Sequence, residues 1–183
     1  MRRLAQVLMV IGCAAAPSMM PAGTFVLPSF FGAIEYDAQA NLVMVHDFSQ
    51  PESRCDATSQ RVSFWRFLMA PSQGRISSAT LWINETRDAE AEERPPVVHE
   101  VWWYKGGMNT SSADYEDGTF IGTFETDLND PPGSFTFDVT EIIRANKGRS
   151  LGFRVWTREP YCEDGNGTRF GEQLTGAWLD IRP

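Results

Sequence analysis

The chain has 183 residues, with 24 Asp+Glu against 16 Lys+Arg and a formal net charge of -8. That length suits one domain around one core, since domains commonly hold ~100–200 residues. The acidic balance excludes nucleic acid or anionic lipid as the main partner, because a phosphate binder needs a basic footprint, and no basic run or glycine-rich phosphate loop occurs.

In chain order, residues 1–16 read as a signal peptide: basic Arg2 and Arg3, an apolar run from Leu4 to Ile11, then small Gly12, Cys13 and Ala14 to Ala16. The run is too short for a membrane span of ~20 residues. Val10-Ile11-Gly12-Cys13 also resembles a lipobox, which implies a lipid anchor on Cys13. Removing this leader takes Arg2 and Arg3 with it, leaving 14 basic against 24 acidic residues, or -10. Residues 17–40 form a Pro/Gly-punctuated lead segment, and residues 41–183 are expected to form a single β-sandwich domain.

Strand-like runs then recur between turn signals. NLVMVHDF (41–48) is the first. RVSFWRFL (61–68) puts Val62, Phe64 and Arg66 on one face and Ser63, Trp65 and Phe67 on the other, so both faces are apolar and the strand is central. ISSATLWIN (76–84) sets Ala79, Leu81 and Ile83 on one face. The polar DAEAEERPP (88–96) is a loop, stopped by its prolines. VVHEVWWY (97–104) separates Val98, Glu100, Trp102 and Tyr104 from Val97, His99, Val101 and Trp103. A long loop, 105–118, leads to TFIGTFE (119–125), and a turn at 127–133 precedes SFTFD (134–138).

The local signals are most legible from Ser134 to Thr157. Asp138-Val139-Thr140-Glu141 has the form of a capping box, with Asp138 accepting from first-turn amides and Glu141 reaching back. Val139, Ile142 and Ile143 make the apolar side of a two-turn helix, Arg144 and Lys147 lie at its negative end, and Gly148 supplies the left-handed cap. Strands follow at 151–157 and 174–181. About eight strands with one short helix before the penultimate strand predict an all-β fold, a two-sheet jelly-roll-like β-sandwich. An immunoglobulin-like sandwich is the runner-up.

Phe64-Trp65-Arg66-Phe67, Ser78-Ala79-Thr80-Leu81 and Phe137-Asp138-Val139-Thr140 with Leu151-Gly152-Phe153 carry a resemblance over residues 61–156. The pattern resembles the DNRLRE-type, carbohydrate-binding-module-like secreted β-sandwich, and its layout is similar to the propeptide of transforming-growth-factor-β precursors. The resemblance implies a secreted sandwich, with a saccharide among its ligands.

Cys55 and Cys162 lie in polar, strand-flanking segments and are expected to pair as a disulfide in an oxidising compartment, the alternative being two free buried thiols. Asn84, Asn109 and Asn166 open Asn-x-Ser/Thr triplets, the expected N-glycosylation positions. No nucleophile–base pair or metal triad is spelled by the sequence; His46–Asp47 and His99–Glu100 are consecutive strand residues and point to opposite faces. No catalytic role and no cofactor are expected. Acidic turns at 115–118 and 127–130 offer oxygens to calcium without the spacing of an EF-hand loop.

The functional expectation is a non-catalytic, secreted or surface-displayed structural or interaction domain, with a protein partner or self-association. The alternative is a carbohydrate-binding module acting through Trp103, Tyr104, Asn109, Asp114 and Tyr115, since sugar rings stack on aromatic faces beside hydrogen-bonding groups. A propeptide-like ligand-binding domain or a hydrolase ranks below both.

Overall fold

The computed structural model describes residues 23–47, 51–55, 59–71, 74–86, 96–106, 118–127, 129–157, 167–170 and 176–183. Among them, twelve strands and one helix run β1 (Thr24–Val26), β2 (Phe30–Asp37), β3 (Leu42–Asp47), β4 (Glu52–Cys55), β5 (Ser59–Leu68), β6 (Ser78–Thr86), β7 (Val97–Lys105), β8 (Thr119–Thr126), β9 (Ser134–Asp138), α1 (Thr140–Ala145), β10 (Ser150–Thr157), β11 (Gly167–Phe170) and β12 (Ala177–Arg182). All pairings are antiparallel. Sheet A runs β1-β12-β6-β9. Sheet B runs β3-β2-β5-β10-β7-β8. The short β4 and β11 bridge them, since β4 pairs with β5, β11 with β4, and β11 with the end of β6. The molecule is thus a jelly-roll-like sandwich of two antiparallel sheets, with α1 directly before β10, the penultimate long strand.

The alternation read in the sequence sets the layers. Trp65 and Phe67 of β5, Leu151, Phe153 and Val155 of β10, and Val101 of β7 point inward from sheet B. They meet Ala79, Leu81 and Ile83 of β6 and Ala177, Leu179 and Ile181 of β12. Interdigitation of the two inner faces makes the core, as in aligned sheet packing. β5 is central and buried on both sides, as its sequence predicts, because Ile34, Val62 and Phe64 form a second buried cluster on the outer face of sheet B.

Two strands arise in the 17–40 segment. β1 zips onto β12, and β2 pairs with β5 from Phe30↔Arg66 to Asp37↔Ser59, so the sandwich begins before residue 41. Gly32 allows that pairing: a Cβ there would sit 2.1 Å from the His46 carbonyl oxygen. Glycine-rich, proline-bounded sequence reads as a lead, whereas the alternation Phe30, Gly32, Ile34 is a strand whose smallest member marks a close backbone approach.

The start of α1 differs from the expected capping box. Val139 N–H donates to the Ala79 carbonyl at 2.9 Å, which keeps the chain in the sheet one residue longer and makes Val139 the N-cap. Asp138 therefore stands one position before the cap. Its Oδ1 takes the Thr140 amide at 2.9 Å and the Thr140 hydroxyl at 2.6 Å. Those two bonds, the hydroxyl first, hold its carboxyl below the usual carboxylate range. Glu141 does not reach back; it pairs with Arg144 one turn on. Arg144 also donates to the Ile76 and Ser77 carbonyls, stitching the helix to the start of β6. Gly148 has φ +71°, the left-handed conformation. Asp138→Ala is expected to lower stability by about 0.5–2 kcal/mol by urea denaturation, while Asp138→Asn retains most of it; equal losses would mean that the negative charge matters more than the acceptor.

The expected Cys55–Cys162 disulfide is corrected. No disulfide bond is present among the described residues; β4 ends at Cys55, and Cys162 lies outside them. A bridge requires Cα atoms ~4.4–6.8 Å apart, a separation that polar flanking sequence does not set. The glycoprotein and secretion readings gain no support from the fold either. Asn84 sits within a strand with its Oδ1 accepting from the Ser134 hydroxyl at 2.6 Å, and Asn109 and Asn166 lie outside the described residues.

Candidate functional site

β-Strand periodicity puts Trp82 on the face opposite Leu81 and Ile83, and Trp178 on the face opposite Ala177 and Leu179. In the β6–β12 register Trp82 and Trp178 are direct partners, so both indoles stand on the outer face of sheet A. Their ring centroids are 5.6 Å apart with an interplanar angle of 6°, a parallel stacked pair. Both are half-buried, so each keeps aromatic surface open to solvent.

The same registers order the rest of this face into rows across the strands. One row carries Trp178, Trp82 and Thr136. On one side lies Phe25, Asp180, Thr80 and Asp138; on the other lie Asn84 and Ser134. Successive rows on one face are ~7 Å apart, two residues of strand. An aromatic row is therefore flanked on both sides by hydroxyl, amide and carboxylate groups. Phe25 is 68% exposed at the β1 edge. Arg182 is tied to Asp180 Oδ2 at 3.0 Å, while Asp180 Oδ1 and Trp82 Nε1 are enclosed, with no hydrogen-bond partner among the described residues. Apolar rings grouped on an otherwise polar sheet face are the kind of patch that marks a contact surface.

The sequence-derived cluster is distributed otherwise. Trp103 is half-buried and packs against the inner core, whereas Tyr104 is buried at 3% exposure on the other face of β7. Consecutive strand residues point apart, so the two rings do not form one platform. The Tyr104 ring lies flat on Gly152, where a Cβ would come within 2.1 Å of Cζ. Asn109, Asp114 and Tyr115 lie outside the described residues. The missed pair was readable: the alternation that put Ala79, Leu81 and Ile83 inside also puts Trp82 outside between Thr80 and Asn84. What no local pattern contains is the pairing of β12 with β6.

The outer face of sheet B is aromatic too, but closed. Arg66 lies over Phe30 and Phe64, at 5.6 and 5.9 Å from their centroids, and Arg154 over Trp156 and Trp102, at 5.1 and 5.7 Å. Both arginines are almost fully buried, so these cation–π stacks hold the sheet rather than offer a binding surface. A groove of about 300 Å³ at the β1–β12 end is lined by Val26, Leu68, Ala70, Ile76 and Ile181, with Arg75 and Arg182 at its polar margin.

One polar constellation is interior. Ser53 Oγ lies 3.0 Å from Thr157 Oγ1, Thr157 Oγ1 lies 2.7 Å from His99 Nδ1, and His99 Nε2 lies 3.0 Å from Thr126 Oγ1. This chain joins β4, β10, β7 and β8. A hydroxyl beside an imidazole has the chemistry of a nucleophile and base; here Ser53, His99 and Thr157 are fully buried. Burial pushes the His99 pKa down from 6.5 to about 3, so the ring is neutral at ordinary pH. His46 is engaged differently, with Nε2 3.0 Å from the Glu35 carboxylate that also takes Arg61. At the 127–130 turn, Asp127 Oδ1 accepts from the Asn129 backbone and side-chain amides, the pattern of a self-contained Asx turn. Among the described residues no three His, Cys, Asp or Glu side chains gather as a metal site. Nor is any helix among them long and apolar enough to cross a membrane.

No protein-family model and no curated protein matches the chain. The resemblance to DNRLRE-type modules and growth-factor propeptides therefore stands on sandwich architecture alone.

Proposed function

We propose that this chain is a non-catalytic interaction domain of the cell exterior that makes its contact through the outer face of sheet A. The observation that carries the reading is the Trp82–Trp178 pair, half-buried and parallel on a face whose other members, Phe25 apart, are polar. Burying ordinary core tryptophans needs no such exposure, and Trp65, fully buried, shows how this fold encloses one. The exterior location is supported by the basic, apolar and small-residue order of residues 1–16.

Hydroxyl-radical footprinting of the protein on its producing cells and after purification tests this without knowledge of the ligand. Protection of Trp82, Trp178 and Phe25 in the native setting is expected. Equal labelling of these residues in both settings would place the contact elsewhere and end the proposal.

A further inference from the structure

We infer that sheet A ends in a self-complementary edge, and that a second copy of this chain pairs with it, β1 against β1, antiparallel about a two-fold axis at Phe25. This pairing concerns the edge of the sheet and not the Trp82–Trp178 face, so it goes beyond the contact proposed there.

Among the described residues β1 is the last strand of sheet A. Alternate residues of such a strand aim their N–H and C=O groups away from the sheet, a template that native edges usually blunt with lysine, proline or a bulge. Thr24-Phe25-Val26 carries none of these, and its register on β12 is unbroken. The opposite side of the sandwich is closed, since Phe124 of β8 stacks on Phe135 of β9 with centroids 4.2 Å apart. At the β1 side the layers stay apart around the groove lined by Val26, Leu68 and Ile76. Five large apolar side chains are exposed among the described residues, and three of them, Phe25 (68%), Leu27 (57%) and Leu68 (67%), gather at this one side. An uncharged, unblunted strand beside an open apolar groove is the arrangement that accepts an added strand.

The residues around β1 select the occupant. Antiparallel pairing about Phe25 sets Phe25 opposite Phe25, Thr24 opposite Val26 and Gly23 opposite Leu27. Val26 packs against the core, so strand periodicity gives Thr24 the same side and gives Gly23, Phe25 and Leu27 the other. Each opposition then joins a larger group to a smaller one, or the two phenyl rings to each other as an aromatic cross-strand pair. Val26 of the other copy lies over the groove beside Thr24, and Leu27 lies over Gly23, which has no side chain to displace it. Charge agrees. Two copies at -8 each repel. The ionisable side chains beside β1, in the groove and on β12, are Arg75, Arg182 and Asp180, two positive against one negative. Two acidic copies therefore meet where their acidic surface is interrupted. An isologous contact of this kind closes at two copies and leaves no β1 edge open.

Sedimentation velocity of the full chain from about 1 μM to about 1 mM tests the pairing. A monomer–dimer equilibrium is expected that reaches dimer only in the upper part of that range, because an edge this short buries less than a standard interface. Amide exchange within residues 23–27 of the wild type should slow as the dimer fills, a readout that needs no variant to fold. Trp82 and Trp178 stand two strands and one strand inside the edge, and their radical labelling should not change with concentration, which separates this pairing from the face contact. Phe25→Lys should stay monomeric throughout with little change in urea unfolding, whereas Leu42→Lys, at an exposed apolar site on β3, should dimerise as the wild type does. Phe25→Cys should cross-link two copies through position 25 under mild oxidation, since opposed Cβ atoms stand ~4.5–5.5 Å apart; peptide mapping identifies the bond. A monomer at every concentration, dimers that survive Phe25→Lys, or cross-links that join position 25 only to other cysteines overturn the inference. Protection of Phe25 on cells by a protein that stays monomeric in solution assigns the edge to a different partner and likewise overturns it.

Discussion

Between pH 7 and pH 4 the folded protein is expected to lose about 3 kcal/mol of stability through His99 alone. The fully buried ring is neutral in the fold, with its pKa pushed down from 6.5 to about 3 by desolvation. In the unfolded chain the same ring takes a proton near 6.5. Between those values the unfolded state binds more protons than the folded one, so stability rises with pH there. The contribution is complete above about pH 6.5 and is lost as pH falls toward 3. His99→Gln keeps a polar side chain without this titration. Urea unfolding of both proteins should show the wild type more stable at pH 7 by about 1–3 kcal/mol, the gap closing or reversing by pH 4. Parallel pH curves for the two proteins would remove the buried imidazole from the explanation. Loss of stability at low pH would accompany release of β4, β7, β8 and β10 from one another, because the network spans all four.

Gly152→Ala is expected to destabilise the protein by about 1–3 kcal/mol although it adds a single methyl. In the β7–β10 register Gly152 faces Tyr104, whose ring occupies the space of the missing side chain. The new Cβ would fall 2.1 Å from Cζ and 2.4 Å from both Cε atoms, so the ring must leave. Tyr104 is enclosed, and the bulk that moves has little room. The pair is therefore coupled. Gly152→Ala in a Tyr104→Leu background should cost less than in the wild type, a double-mutant cycle with an interaction energy of about 1 kcal/mol or more. Additive effects in that cycle would show that the glycine serves the backbone and not the ring.

Much of this sandwich was legible in the chain. Period-two alternation in 61–68 and 97–104 put Val62 and Phe64 opposite Trp65 and Phe67, and set Val101 and Trp103 on the core side, as the structure has them, because one residue of slip would exchange core for surface. The central position of β5 followed from apolar residues on both of its sides. The helix before β10 was legible through Asp138, the apolar side of Val139, Ile142 and Ile143, and Gly148. Its capping box was not, because the bond from Val139 to Ala79 is made to a strand some sixty residues earlier. β1, β4 and β11 were missed for a related reason: strands of three or four residues hold no periodicity and exist only through their partners.

The candidate site divides the same way. Sequence by itself determined that Trp82 opposes Leu81, that Trp178 opposes Leu179, that Trp103 and Tyr104 point apart, and that the surface is acidic. Those are properties of neighbouring residues, fixed by strand geometry and composition. Only the tertiary structure decided that Trp82 meets Trp178, that His99 joins Ser53, Thr157 and Thr126, and that Tyr104 fills the place of a side chain at Gly152. Each depends on which strand lies beside which and in what register. Antiparallel pairing sets that by summing many contacts distant in sequence, and no single segment of the chain carries it.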